Sequence, residues 1–529
     1  MTHQTGLNPG SSSTDTVTAF VGRALRGPVN TPVTLHSFAD YQRIFGGLWQ
    51  PSALSYAIEH YFEHGGRHAV VVRVVNGGAP ATIELPCGDE LLTLEALALG
   101  SREFLRASVD YDNLGDQDLD CFNLVVQRVR TYRSEHIEEQ ESYRRLSTSP
   151  TTGRHVATVL IKSKLVRVRG EVPVQRPDIT HGRDAQRLVG YVDSSPDGHD
   201  GAPLSDYDLI GSAVARTGLF ALSAVERIHF VYLPPLTREQ DIGVSALLVA
   251  SRFCREHHAM LIVDPPQEWS SCQSALSSLR QFDFASDQAV MFFPRLVLQD
   301  RLRGRPEVFA NGGAVAGMLS HVDEQHPVWD VRQAEPEMLL RPGVRLQVEL
   351  SEIERWRLSA QGVNALQAVR RAAPLKLLRR TLAGGASATA DWDYVQARRF
   401  ALHIMGQLER NTRWVLLASP SRSMWARLLR QVNGFLHELV ALSAFPVASN
   451  GQEFFVICDE RINSVLPDNA PEIKILVGFA SLQADQYHTF VITHALTGSH
   501  TRMVAVNRYE TPSRFDDVEL TAGLLALRE

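Results

Sequence analysis

Asp264 closes the apolar run Met260-Leu-Ile-Val263, at the strand end where α/β enzymes hold catalytic carboxylates. Further on, Gly312-Gly-Ala-Val-Ala-Gly317 has the small-residue density of a phosphate loop, and His64/His68 and His257/His258 are the tightest histidine pairs. Each falls short of a site. Asp264 has no partner base or ligand set beside it, so a capping or turn role suits it better. The glycine run lacks the lysine and hydroxyl that a P-loop needs, and none of the chain's lysines follows a glycine, so close packing or a turn explains it. Zinc takes three or four convergent ligands, and neither histidine pair has a further Cys or His at suitable spacing. Helix C-termini, where an imidazolium complements the dipole, fit those histidines. G-x-S-x-G and H-E-x-x-H are absent. No catalytic residue, cofactor-binding residue, metal ligand or cofactor is therefore expected, and the chain reads as a non-enzyme.

The elements are better marked than any chemistry. In Phe45–Val75, Pro51 suits a first helical turn, and Leu54, Ala57, Ile58, Tyr61 and Phe62 fall on one face. Gly65 and Gly66 end that helix, and Ala69-Val-Val-Val-Arg-Val-Val75 reads as a strand covered on both sides. Downstream, Arg227–Leu233 and Met260–Val263 predict strands and Val244–His257 a helix, a β-α-β rhythm. Helical spacing predicts helices over Tyr207–Leu222, Trp392–Leu408 and Met424–Leu442. Strands are expected at Phe122–Val129, Val156–Ile161, Glu453–Ile457, Glu472–Val477 and His488–Ile492, and the acidic and basic stretch Arg130–Leu146 reads as a solvated connection.

Composition narrows the class. The chain has 529 residues, 44% of them apolar, enough for a large core and several domains. No apolar run reaches the roughly 18 residues of a membrane span, and the first residues lack the basic and apolar regions of a secretory signal. Five scattered cysteines point to reduced thiols in a cytosolic setting. A net charge of -6 gives no case for nucleic-acid binding. Only Lys162, Lys164, Lys376 and Lys474 are lysines among 53 basic residues; arginine favours interfaces, and a GC-rich genome explains the same skew.

A series of short blocks resembles the contractile tail sheath family of phage tails, R-type bacteriocins and extracellular injection systems. Thr18–Pro28 is similar to the family's "AFVGxAxxGP" segment, and Phe45–Val75 resembles its FGG loop, aromatic helix and GG-R strand. In the expected order follow Asp200-Gly201 with Tyr207, Ile210 and Gly211; Arg216–Leu222; Asp264-Pro265; Ala289–Pro294; and Gly313–Gly317 with Asp323. Then come Gln361–Asn364, Arg380–Leu382, Asp391–Arg399, Arg413-Trp414, Trp425 with Asn433–Leu436, and Phe454–Asp459 with Asn463. The series covers about residues 17–496 and is loosest over 101–192. Two departures stand out: Asn8–Ser13 replaces the usual "PGVYxxE" opening strand, and roughly thirty residues follow Leu496.

The resemblance implies a mixed α/β (α+β) multidomain sheath fold with nested insertions. Its expected parts are a flexible arm (1–16), a core (17–78 and 346–496), an intermediate α/β domain (79–100 and 193–345), a β-rich protruding domain (101–192) and a C-terminal arm (497–529). It implies helical self-assembly around an inner tube, with contraction driving the tube through a cell envelope. Baseplate and terminator or cap proteins would be further partners, with no nucleic acid and no membrane insertion. Assembly would take place in the bacterial cytoplasm, in a virion tail or phage-tail-like particle. Arm strands donated to neighbouring subunits would include Arg502, Met503, Val504, Ala505 and Val506, then Val518, Leu520, Leu524 and Leu525, with Thr14–Phe20 a weaker candidate; alternatively the tail folds back on its own core. The helix Ser421–Leu442 carries Arg422, Arg427 and Arg430 and is the candidate tube-facing element. A non-contracting terminal or baseplate-proximal paralogue is the alternative role, and an α/β enzyme using Asp264 a remote one.

Overall fold

The computed structural model describes residues 16–115, 118–180, 190–330, 338–368, 377–383, 390–419, 421–448, 452–463, 472–483 and 486–504. Its centre is a seven-stranded sheet in the order Val363–Ala365, Ala289–Phe293, Met260–Val263, Phe230–Tyr232, Val17–Gly22, His68–Arg73, Val33–Leu35. All neighbours are parallel except the last pair. Successive side chains on these strands enter opposite cores. Phe20, Val71, Phe230, Tyr232, Ile262 and Phe292 face one, and Ala19, Val21, Val70, Val231, Leu261 and Met291 face the other. Burial on both faces is why these strands read as unbroken apolar runs. The helices Ala53–Glu63, Gly312–Gln325 and Val395–Thr412 bury residues in the first core, and Val244–Glu256, Cys272–Leu279 and Glu352–Ala360 in the second.

A second region is almost entirely β. The strands Pro80–Cys87, Glu90–Leu99 and Val166–Arg169 form one antiparallel sheet, and Val192–Asp193, Leu105–Asp110, Cys121–Val129 and Ile137–Ser147 form another. Both enclose a single separate core built on Leu85, Leu94, Ala107, Phe122, Leu124 and Leu146. The third region is the antiparallel sheet Phe454–Ile457, Ile473–Ala480, Tyr487–Ala495, Gly498–Val504, whose inner face joins the helices Val395–Thr412 and Arg422–Ala441 in the first core. A small sheet of Leu296–Asp300, Arg305–Phe309 and Arg345–Leu346 completes the topology of the described residues.

Three expectations are corrected. Val156–Leu160 is a short helix, because Val156 and Leu160, one turn apart, both enter the β-region's core. Ile137–Ser147 is a strand; it lies at a sheet edge, where one face meets water and needs no apolar alternation. Tyr207–Leu222 is broken: Gly211 adopts φ 67° with Thr217 O 2.2 Å from where a Cβ would sit, leaving the helix Asp206–Ile210 and a 3-10 turn Gly218–Ala224. The arm proposed over Thr14–Phe20 is corrected as well, since Val17–Phe20 lies in the middle of the central sheet. Residues 1–15 are outside the described set.

Candidate assembly surfaces and buried polar centres

The polar residues of the motif blocks act as internal clasps. Asp264 Oδ1 accepts from Gly312 N at 2.8 Å and its Oδ2 from the Tyr232 hydroxyl at 2.5 Å, so it caps the helix Gly312–Gln325. Burial pushes this carboxyl up to about 6, against the opposing pull of Arg295, Tyr232 and the Gly312 amide. Within that helix a Cβ on Gly313 would stand 2.3 Å from Ala57 O, and one on Gly317 2.3 Å from Tyr61 O. The glycine run is thus the seam against Ala53–Glu63, and its resemblance to a phosphate loop ends there. Asn364 Nδ2 donates to Met291 O and Arg380 O, and Asn364 Oδ1 accepts from Arg380 N at 2.7 Å. Asn463 brackets Lys474 in the same two-sided way. Asp391 accepts from Ser481 Oγ, Leu482 N and His488 Nε2, fixing the C-terminal sheet to the start of the helix Val395–Thr412.

The histidines are placed by local capping. His64 and His257 follow the last turns of their helices, each with Nδ1 against the carbonyl four residues back, at 2.8 and 2.9 Å. Burial lowers both, against the imidazolium expected at these helix ends. His68 instead opens a strand and meets His36, and His258 meets Glu409. Among the described residues no three His, Cys, Asp or Glu side chains gather as a metal site would require. No helix there is long and apolar enough to cross a membrane.

Two surfaces carry the residues expected to take part in assembly. The strand Gly498–Val504 is the terminal one of its sheet and pairs with Tyr487–Ala495 of its own chain, Met503 opposite Phe490 and Arg502 opposite Val491. Its outer edge has no strand partner among the described residues. Arg502, Met503 and Val504 thus occupy a sheet edge, while Ala505, Val506, Val518, Leu520, Leu524 and Leu525 lie outside the described residues. The helix Arg422–Ala441 buries Met424, Trp425, Leu428, Val432, Phe435, Leu436 and Leu439 and leaves Arg422, Arg427 and Arg430 exposed. Ser421 caps it, and a cation so near the positive end of the dipole is electrostatically disfavoured. Arg422 is offset by Glu460 at 2.7 Å, Arg427 lies over Trp414, and Arg430 Nε donates to Ala426 O.

No family model matches the sequence, and no curated protein does. Solved structures do match. The sheath tail protein of Listeria innocua is 11% identical, with 91% of this chain and 95% of that one covered and a TM-score of 0.61. This chain has the tail-sheath fold. The sheath tail protein of Desulfitobacterium hafniense matches with 11% identity, coverage of 91% and 96%, and a TM-score of 0.52. The sheath of an extracellular contractile injection system in its contracted state matches with 11% identity, 89% of each chain covered, and a TM-score of 0.50. About nine-tenths of the chain aligns with each of these sheath proteins.

A cavity of about 290 Å³ opens at the amino ends of the parallel strands, where Arg227, His229, Trp329, His403 and Arg410 converge from three distant stretches of chain. Sequence spacing holds no signal for it.

Proposed function

We propose that the chain is a structural subunit of a contractile tail sheath, polymerising helically around an inner tube and contracting to drive that tube through a target envelope. The tail-sheath fold over about nine-tenths of the chain carries this reading. Its polar motif residues support it too, because Asp264, Asn364, Asp391 and Asn463 are occupied in holding elements together. Work of this kind needs packing and rearrangement and no reacting group.

In this reading the core holds the tube and arms, the β-rich region projects outward, and subunits join head to tail without closing. The edge strand Gly498–Val504 takes part in a sheet shared with neighbours, in which backbone hydrogen bonds keep the lattice joined while the bodies rotate. The exposed Arg422, Arg427 and Arg430 meet an acidic tube surface. If contraction buries a few hundred Å² more apolar surface per subunit, it yields on the order of 5–10 kcal/mol, without nucleotide hydrolysis. The test is expression of the chain followed by negative-stain electron microscopy. Long hollow tubes support the sheath; short rings favour a terminal or baseplate-proximal paralogue; a monomer with hydrolase or transferase activity rejects both.

A further inference from the structure

The cavity at the amino ends of the parallel strands is lined by Arg227, Arg399 and Arg410 against two carboxylates, Asp323 and Glu324. Its acidic neighbours are already engaged. Asp323 holds Arg399 through both oxygens and accepts from the Thr16 hydroxyl. Glu324 pairs with Arg67 at 2.8 Å, and Glu409 with His258, Arg413 and the Thr501 hydroxyl. Arg227 and Arg410 line the same space without a salt bridge or hydrogen bond among the described residues, although the charges of Glu409 and Glu226 act on Arg410.

The histidines add donors. His229 Nδ1 accepts from Val17 N at 3.0 Å, so its ring proton sits on Nε2 and is available to the cavity. His403 lines the cavity with its Nε2 buried and unpartnered among the described residues, its ring 5.7 Å from that of Trp329. Burial, then Arg227 and Arg410, push His403 down to about 3, and burial with Arg227 brings Arg410 down to about 10. Cations that repel one another in a recess lower their energy when an anion enters. The space exceeds what a single water needs and lies within reach of small-ligand sites.

We propose that this cavity is a binding site for an oxyanion of the carboxylate or phosphate class, clamped by Arg227 and Arg410, with His229 and His403 as neutral donors. It goes beyond the sheath reading and does not depend on it. The anion comes either from solution or from an acidic side chain of a neighbouring copy.

Calorimetric titration of the full chain at low salt with inorganic phosphate, and separately with malonate, tests the site. Saturable binding near one anion per chain is expected for at least one probe. Arg227→Gln and Arg410→Gln should each weaken it at least about tenfold, the worth of one charge-assisted hydrogen bond. Unchanged thermal unfolding of each variant shows that the fold is retained, and His403→Phe serves as a second variant if an arginine change unfolds the chain. No saturable binding of either probe, or binding undiminished in every folded variant, overturns the proposal. Repeating the titration on assembled particles separates the sources. A site closed to phosphate there is filled by a neighbour's carboxylate, and a site still open takes a free anion.

Discussion

Arg399 grips Asp323 through two hydrogen bonds, Nη1 to Oδ1 at 2.7 Å and Nη2 to Oδ2 at 2.5 Å, with Arg399 buried and Asp323 nearly so. The pair locks the helix Gly312–Gln325 to the helix Val395–Thr412 and stands beside the strand end at Thr16. Asp323→Asn leaves a buried guanidinium without its counter-charge. The expected loss is about 3–5 kcal/mol of unfolding free energy, read from urea denaturation. A variant within about 1 kcal/mol of the parent would show that water or another carboxylate replaces the pair.

The glycine seam predicts opposite outcomes at two helical glycines. Gly317→Ala places a methyl 2.3 Å from Tyr61 O and should cost about 1–3 kcal/mol. Gly434→Ala, on the exposed face of the helix Arg422–Ala441 with nothing within 4 Å, should stabilise by about 0.5–1 kcal/mol. Equal effects of the two changes in thermal or urea unfolding contradict the packing described here.

Glu409 governs part of the acid limb. Burial alone would raise its carboxyl, but hydrogen bonds from His258, Thr501 and Arg413, with the His258 charge, hold it down to about 2. Its folded-state value lies below the unfolded one. The stability it contributes is therefore present above about pH 4.5 and is lost as pH falls toward 2. That contribution is on the order of 3 kcal/mol. Glu409→Gln should lower stability at neutral pH and flatten the profile between those limits; a parallel profile excludes the assignment.

How much of this was legible follows from what each residue faces. The helix Ala53–Glu63 and the strands His68–Arg73 and Met260–Val263 were plain, because burial writes a period or an unbroken apolar run into the sequence. Ile137–Ser147 was hidden, because an edge strand with a solvated face carries charges like any loop. Val156–Ile161 reads as a strand because six apolar and β-branched residues fit a strand or a short helix equally until the core decides. Asp264 reads correctly as a cap, since the sequence beside it supplies no partner base or ligand set. Arg227 and Arg410 meet only through the fold, and no local pattern announces them.

Charge reversal tests the tube contact. Replacing Arg422, Arg427 and Arg430 by Glu leaves the buried stripe of Trp425, Leu428 and Val432 intact, so the subunit should fold normally. Co-assembly with the inner tube protein should fall sharply, measured by co-sedimentation at low and high salt. Undiminished co-sedimentation removes this helix from the tube interface.

Assembly into a sheath is read out by electron microscopy of the purified chain. Long hollow tubes of stacked rings are expected from the full chain. A chain ending at Val504 should unfold at the same temperature yet form no tubes, because it lacks the proposed arm beyond the edge strand. A full chain that stays monomeric, with its inner tube protein present, contradicts the account.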